Sequence, residues 1–216
     1  MTFKGSATFM SCSVKSSSSA TGDATVYAYG GAVYIRENEG GLTIEGFATF
    51  IACSANISAS SSFGDADIRT RGGAIYSTDN DGGLTFTGFT IFTTCSLNAL
   101  LSGPRGDITN YGGAIYNSHD AGFTFQRLVN FTACSVVSSS SASSDSSSTY
   151  SNGGAIYIDT GSSLTFRGSV IFTSCSAVSS SSLFSSSSSY TYAIARAWGG
   201  AIYNIASDFS FIFEGL

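Results

Sequence analysis

The chain has 216 residues, of which 43% are apolar and only 11% charged, with a net charge of −5. That apolar share suffices for the core of one domain, and the acidic balance argues against nucleic acid or an anionic membrane surface as partner. No apolar run reaches the roughly 18 residues of a membrane-spanning helix, so no membrane insertion is expected. In chain order the same phrases return about every 41 residues, a period typical of solenoids, propellers and arrays. Each repeat opens on an apolar-Thr-apolar triplet: Met1-Thr2-Phe3, Leu42-Thr43-Ile44, Leu84-Thr85-Phe86, Phe123-Thr124-Phe125 and Leu164-Thr165-Phe166. Then comes Phe-x-x-Cys-Ser, beginning at Phe9, Phe50, Phe92, Phe131 and Phe172, always 8 residues after the first residue of the triplet. A serine-rich stretch follows, and the repeat closes on Gly-Gly-Ala-(Ile/Val)-Tyr, beginning at Gly30, Gly72, Gly112, Gly153 and Gly199.

The fixed step between triplet and Phe indicates two elements locked by a short turn. The step from Cys to the next Gly-Gly drifts (18, 19, 17, 19 and 24 residues), which is read as a surface loop that tolerates insertion. The triplets alternate apolar and polar residues with period two and favour strands. In Gly72-Gly73-Ala74-Ile75-Tyr76, the same alternation sends Ile to one face and Ala and Tyr to the other. No helical stripe is present, and serine runs disfavour helix. Each repeat therefore predicts about three short strands plus a Ser-rich loop. With 25 glycines and one proline, the turns rely on glycine.

Strands this short cannot bury a face alone, but stacked repeats can. A propeller blade is the competing architecture. A parallel β-solenoid is favoured, because matched positions carry near-identical residues, as stacking of like on like at ~4.8 Å would select. The expected fold is an all-β single domain over 1–216, a right-handed parallel β-helix of about five coils. The repeats run approximately 1–41, 42–83, 84–122, 123–163 and 164–216. Its core would hold the column Ile75, Ile115, Ile156 and Ile202 with the triplet apolar residues and the Phe column. Tyr34, Tyr76, Tyr116, Tyr157 and Tyr203 would form an exposed column.

Five cysteines, Cys12, Cys53, Cys95, Cys134 and Cys175, occur once per repeat. This spacing rules out Cys-x-x-Cys metal and redox motifs. Stacking would gather them into one column, read as a buried thiol ladder behaving as small apolar groups; disulfides along the axis and a metal site are the alternatives.

Gly-Gly-Ala-Ile alternating with Phe-x-x-Asn marks the polymorphic outer-membrane protein repeat, best known from chlamydial autotransporter adhesins. The present chain resembles that repeat over essentially its whole length. Residues 72–75, 112–115, 153–156 and 199–202 match the first motif outright, and 30–33 differs only by Val33. The second motif departs consistently, with the five cysteines standing where the family has Asn. The resemblance implies a right-handed parallel β-helix with an adhesive or structural surface role. It implies no catalysis.

Polysaccharide lyases and hydrolases on β-helices need clustered carboxylates. Acidic residues gather after the Tyr strand (Glu37, Glu39, Asp79, Asp81, Asp120, Asp159) and before Gly-Gly (Asp23, Asp65, Asp67, Asp107, Asp145). Asp79 and Asp81 form the candidate Ca²⁺ turn, against the ordinary use of Asp, Asn and Gly in turns. His119 is the one histidine and is read as a solvated turn residue; nothing in the sequence positions a Ser-His-Asp set. The outward column Thr2, Thr43, Thr85, Thr124 and Thr165 has a mixed, charged second rank (Lys4, Glu45, Thr87, Gln126, Arg167), which argues for a solvated face rather than an ice-binding one. Asn56 and Asn130 stand in N-glycosylation sequons. The serine tracts at 138–148 and 179–189 suggest a flank that packs on itself or carries O-linked sugar.

Met1-Thr2-Phe3 already lies inside a repeat, so no signal peptide is expected ahead of it, and the chain closes on Gly-Gly and a triplet Phe209-Ser210-Phe211. Such complementary edges suit head-to-tail stacking of the chain on itself, with a longer protein as the alternative origin. The expected role is a non-enzymatic structural or adhesive protein, extracellular or on a cell surface, assembling end to end. A carbohydrate-binding module and, behind it, a β-helix polysaccharide-degrading enzyme are the alternatives. Self, surface glycans and host or matrix proteins are the expected partners; no cofactor is implied.

Overall fold

The computed structural model describes residues 1–119, 122–142, 146–183, 192–205 and 211–213. Among these residues the chain forms 26 strands and no helix. The strands stack into one six-stranded and four five-stranded sheets. Neighbours in every sheet come from successive coils and run parallel, as in Thr2↔Thr43, Phe92↔Phe50 and Tyr76↔Tyr116. This is a parallel β-solenoid, and its like-on-like register confirms the stacking that the repeat spacing predicts.

Each coil visits the five sheets in the same order. In the second coil the triplet strand is Leu42–Glu45 and the Phe strand Ala48–Ile51. An eight-residue serine strand Ser54–Ser61, a fourth strand Asp65–Arg71 and the tyrosine strand Ile75–Thr78 complete it. The coil thus holds five strands rather than three, and the eight residues after each cysteine are sheet rather than loop. Alternation explains why: in Ser54–Ser61, Ala55, Ile57 and Ala59 point inward and are buried, while their neighbours face out. Serine's weak strand preference is overridden by the ladder above and below and by burial of the inner face. From the fourth strand onward the length is constant again, since Ala24, Ala66, Gly106, Ser147 and Ala193 align and each lies 6 residues before its Gly-Gly. All of the drift therefore falls in the turn between the serine strand and the fourth strand.

The triplet, Phe and tyrosine sheets enclose the main core, with Ile75, Ile115 and Ile156 each 1% exposed and Phe50, Phe92 and Phe131 fully buried. The Phe rings stack nearly parallel, 4.7 Å apart for Phe50–Phe92 and 4.8 Å for Phe92–Phe131. A second core lies between the serine sheet and the fourth sheet, built from Ala55, Ile57, Ile68, Leu97, Ile108 and Val136. Toward the fourth and fifth coils its apolar residues give way to buried hydroxyls. Ser138 Oγ sits 2.7 Å from Ser151 Oγ, Ser147 donates to Ser140 Oγ at 2.6 Å, and Ser151 donates to the Val178 carbonyl at 2.7 Å. Each hydroxyl brings both donor and acceptor, so this part of the core keeps its polar groups satisfied.

Two corners need special backbone. The residue before every cysteine (Ser11, Ala52, Thr94, Ala133, Ser174) is left-handed, with φ of 52° to 54°. At the Gly-Gly corner, Gly72 has φ +65°, and a Cβ on Gly73 would sit 2.1 Å from the Gly113 carbonyl oxygen of the next coil. The first glycine serves the turn and the second the close approach. The bend also breaks the simple alternation expected here: Ala74 and Ile75 both enter the main core, and Tyr76 alone turns to the other side.

The last coil differs from the expected triplet as well. The strand that pairs with Leu164–Phe166 is Phe211–Phe213, with Leu164↔Phe211 and Phe166↔Phe213. A shift of two residues keeps the same alternation of faces, so Phe-Ser-Phe and Phe-Ile-Phe satisfy the sequence pattern equally. Phe209 and Ser210 lie outside the described residues, as do Asp120, Asp145 and much of the two long serine tracts.

Candidate functional site: the tyrosine–arginine cleft

The tyrosine sheet carries a column that is covered rather than exposed. Tyr76, Tyr116 and Tyr157 are only 5%, 3% and 2% exposed; Tyr34 is 51% exposed and Tyr203 half-buried. The rings stack face on face, 5.0 Å for Tyr34–Tyr76, 5.2 Å for Tyr76–Tyr116 and 5.3 Å for Tyr116–Tyr157. What covers them is the last residue of the fourth strand in each coil: Tyr29, Arg71, Tyr111, Asn152 and Trp198, in register with one another. The Gly-Gly corner folds that column onto the tyrosines. Each covering residue precedes its tyrosine by 5 residues in every repeat. That constant step is the signal by which the sequence could have revealed Arg71, which motif reading passed over.

Arg71 takes the place of a ring in the stack. Its guanidinium carbon lies 5.0 Å from the centre of Tyr116 and 5.7 Å from those of Tyr29 and Tyr111. This is cation–π geometry on three sides, and among the described residues its buried Nε has no hydrogen-bond partner. Burial pushes the phenol pKa values of Tyr29, Tyr111, Tyr116 and Tyr157 above the ordinary range, and at Tyr116 the Arg71 charge pulls the other way.

The mouth of this arrangement is a cleft of about 460 Å³ whose rim includes Tyr34, Arg36, Asp79, His119 and Asp159. Glu37, Asp79 and His119 occupy one left-handed turn position (φ 52°) on successive coils. Thr78 donates to Asp79 Oδ2 at 3.2 Å, and Tyr116 donates to Asp159 Oδ2 at 3.4 Å. No protein-family model, curated protein or solved structure matches this chain. Its chemistry is therefore read from these side chains alone.

Ser118, His119 and Asp159 all line the cleft, brought there by the stacking of coils rather than by their spacing along the chain. Their connections differ from a nucleophile–base–carboxylate relay. Ser118 Oγ is 2.7 Å from His119 Nδ1, and the other ring nitrogen, Nε2, faces Thr160 Oγ1 at 3.3 Å rather than a carboxylate. Ser118 lines the cleft but is only 2% exposed, so its hydroxyl is barely open to solvent. The set orients the histidine and holds the turn.

Asp79 and Asp81 both stand exposed in the turn after the tyrosine strand. Among the described residues no three His, Cys, Asp or Glu side chains converge on a point that could hold a metal ion. Of the second acidic group, Asp67 pairs with Arg69 at 3.0 Å and Asp65 with Arg105 at 3.6 Å. Asn56 and Asn130 lie on outward strand positions, half-buried. Asn56 Oδ1 accepts from Asn98 at 2.9 Å and Asn130 Oδ1 from Thr132 at 3.1 Å, so each amide already has a partner.

The cysteines form the expected column, all free, with Cys53, Cys95 and Cys134 buried and Cys12 and Cys175 half-buried. Each of the four upper thiols lies within reach of the Phe carbonyl one coil before, as Cys95 does with Phe50 at 3.5 Å. Hydrogen bonding along the column, reinforced by burial, pushes the thiols of Cys53 and Cys134 up.

Proposed function

We propose that this chain is a structural and adhesive repeat protein of the extracellular space or a cell surface, a rod that stacks end to end with coils of its own kind. The observation that supports this reading most is the unbroken parallel register of all five sheets, with like residues stacked on like in the triplet and Phe sheets and along the tyrosine column. It gives every coil the same parallel backbone edges to offer a neighbour. At one axial face Ala7, Phe9 and Cys12 are only partly buried; at the other, Val170, Phe172, Cys175 and Ile202 are. A further coil of the same pattern, from a second copy or from more chain, covers both. Parallel head-to-tail contact of that kind extends without closing. Sedimentation and negative-stain imaging at tens of micromolar test it. Filaments one coil stack wide are expected, and a persistent monomer would overturn self-stacking.

Glycan binding is the second reading, favoured by the cleft. Because the tyrosine faces are used up in stacking on one another, a sugar would meet their hydroxyl edges together with Arg36, Asp79 and Asp159 at the rim, and Tyr34, 51% exposed, offers ring surface. Glycan-array binding that is lost in Tyr34→Ala and Arg36→Ala would establish it.

A further inference from the structure

The five cysteines share more than a position. Cys53, Cys95, Cys134 and Cys175 make the same two contacts, to the Phe carbonyl of the preceding coil at 3.5–3.8 Å and to the carbonyl two residues earlier at 3.7–3.8 Å. Their side chains are therefore copies of one another displaced along the axis. The backbone beside them is tied coil to coil, with Ser96 N–H donating to the Cys53 carbonyl and Ser135 N–H to the Cys95 carbonyl, both at 3.0 Å. The size of the displacement is read from the adjacent Phe column, where near-parallel rings (interplanar 5° and 3°) repeat at 4.7 and 4.8 Å. Successive sulfurs thus stand about one strand spacing, ~4.8 Å, apart in a line.

That interval suits one kind of ligand. A metal–thiolate bond is about 2.3 Å, measured for zinc, so a cation bound linearly between two sulfurs spans about 4.6 Å from sulfur to sulfur. Soft thiolates select Cu(I) among biological cations. Tetrahedral zinc needs four ligands converging on one point, and no three converge among the described residues. A single file of thiols at this pitch offers every interior sulfur two gaps and every end sulfur one.

We propose that the reduced cysteine column is a binding site for monovalent soft cations, Cu(I) or its redox-inert surrogate Ag(I), one ion in each of the four gaps between the five sulfurs. Each ion displaces one thiol proton to solvent, so four ions enter and four protons leave. Four thiolates and one remaining thiol balance four positive charges, and the filled column is neutral, as a buried site requires. Only weak S–H···O contacts to carbonyls are given up. Cys12 and Cys175, half-buried, are the open ends of the file.

The arrangement makes a counting prediction that independent thiols do not. Silver nitrate is titrated into the fully reduced full-length chain, without chloride or added thiol, and bound ions are counted by native mass spectrometry alongside released protons. The intact chain should take up four ions. Cys12→Ala removes one gap and should leave three; Cys95→Ala removes two gaps and should leave two. Cys95→Ser, which keeps the side chain's size without its soft donor, should also leave two, and serves if the alanine variant fails to fold. Five ions in the intact chain, equal losses from end and interior variants, uptake only with loss of the β-sheet circular dichroism, or no uptake would each overturn the proposal.

Discussion

Removing one ring from the Phe column is the most direct test of the stacked core. Phe92 is fully buried, lies 4.7 and 4.8 Å from the rings of Phe50 and Phe131, and meets Phe86 and Phe125 edge-on at 6.5 Å each. Phe92→Ala should therefore cost about 4 kcal/mol, within the range for buried Phe→Ala. It carries the loss of two stacked pairs, each contributing about 0.5–1.5 kcal/mol beyond area. Phe9 occupies the same column at its first coil, partly buried and with one stacked partner, Phe50 at 4.8 Å. Phe9→Ala should cost about half as much, near 2 kcal/mol, because an end repeat has one neighbour where an interior repeat has two. Urea unfolding followed by circular dichroism measures both. With a slope of about 3 kcal/mol per molar for a chain of this size, the midpoint should fall by about 1.3 M for the interior change and about 0.7 M for the end one. Equal losses, or a loss below about 1 kcal/mol at Phe92, would show that the rings do not share one continuous column.

The hydroxyl part of the second core should behave as a network. Ser138→Ala takes one of two partners from Ser151 and from the Asn110 amide, whose Nδ2 lies 2.9 Å from Ser138 Oγ, while the Val178 and Val137 carbonyls remain, and should cost about 0.5–1.5 kcal/mol. The double change Ser138→Ala with Ser151→Ala should cost clearly less than the sum of the two singles in a double-mutant cycle, and additivity would refute the coupling. The buried tyrosines predict alkaline sensitivity. Burial raises the folded-state pKa of Tyr116 above its ordinary value near 10, so its contribution is fully present below about pH 10 and is lost as pH climbs toward the folded value, where the unfolded chain gives up its proton first. Unfolding free energy measured from pH 9 to 11 should fall with a slope that Tyr116→Phe makes shallower. An unchanged slope would show that Tyr116 ionises as freely folded as unfolded.

Much of this molecule could be read from spacing. The fixed 8-residue step and the identical residues at matched positions lead to parallel stacked coils, because side chains in such a ladder meet their own kind. Other features needed geometry that one-dimensional patterns do not carry. The serine strands looked like loop because serine has little strand preference, and only the partner sheet supplies the reason for their order. The tyrosines looked exposed because alternation was carried through Gly72-Gly73, where a left-handed corner turns Ala74 and Ile75 to the same side. The meeting of His119 with Thr160 depends on which residue of one coil lies over which residue of the next. The bends before the cysteines carry Ser, Ala or Thr in left-handed backbone, residue types that announce nothing.

The connection whose length varies most, between the serine strand and the fourth strand, has a further use. Its step from the last serine-strand residue to the aligned residue of the fourth strand is as short as 3 residues, from Gly103 to Gly106, and as long as 10, from Leu183 to Ala193, while the strands on either side keep their register. The coil is thus indifferent to what is carried there. A foreign peptide spliced into each of these turns would be borne in single file along the axis, one copy per coil at a pitch of about 4.8 Å. That is a denser and straighter array than separate domains on a flexible tether can hold.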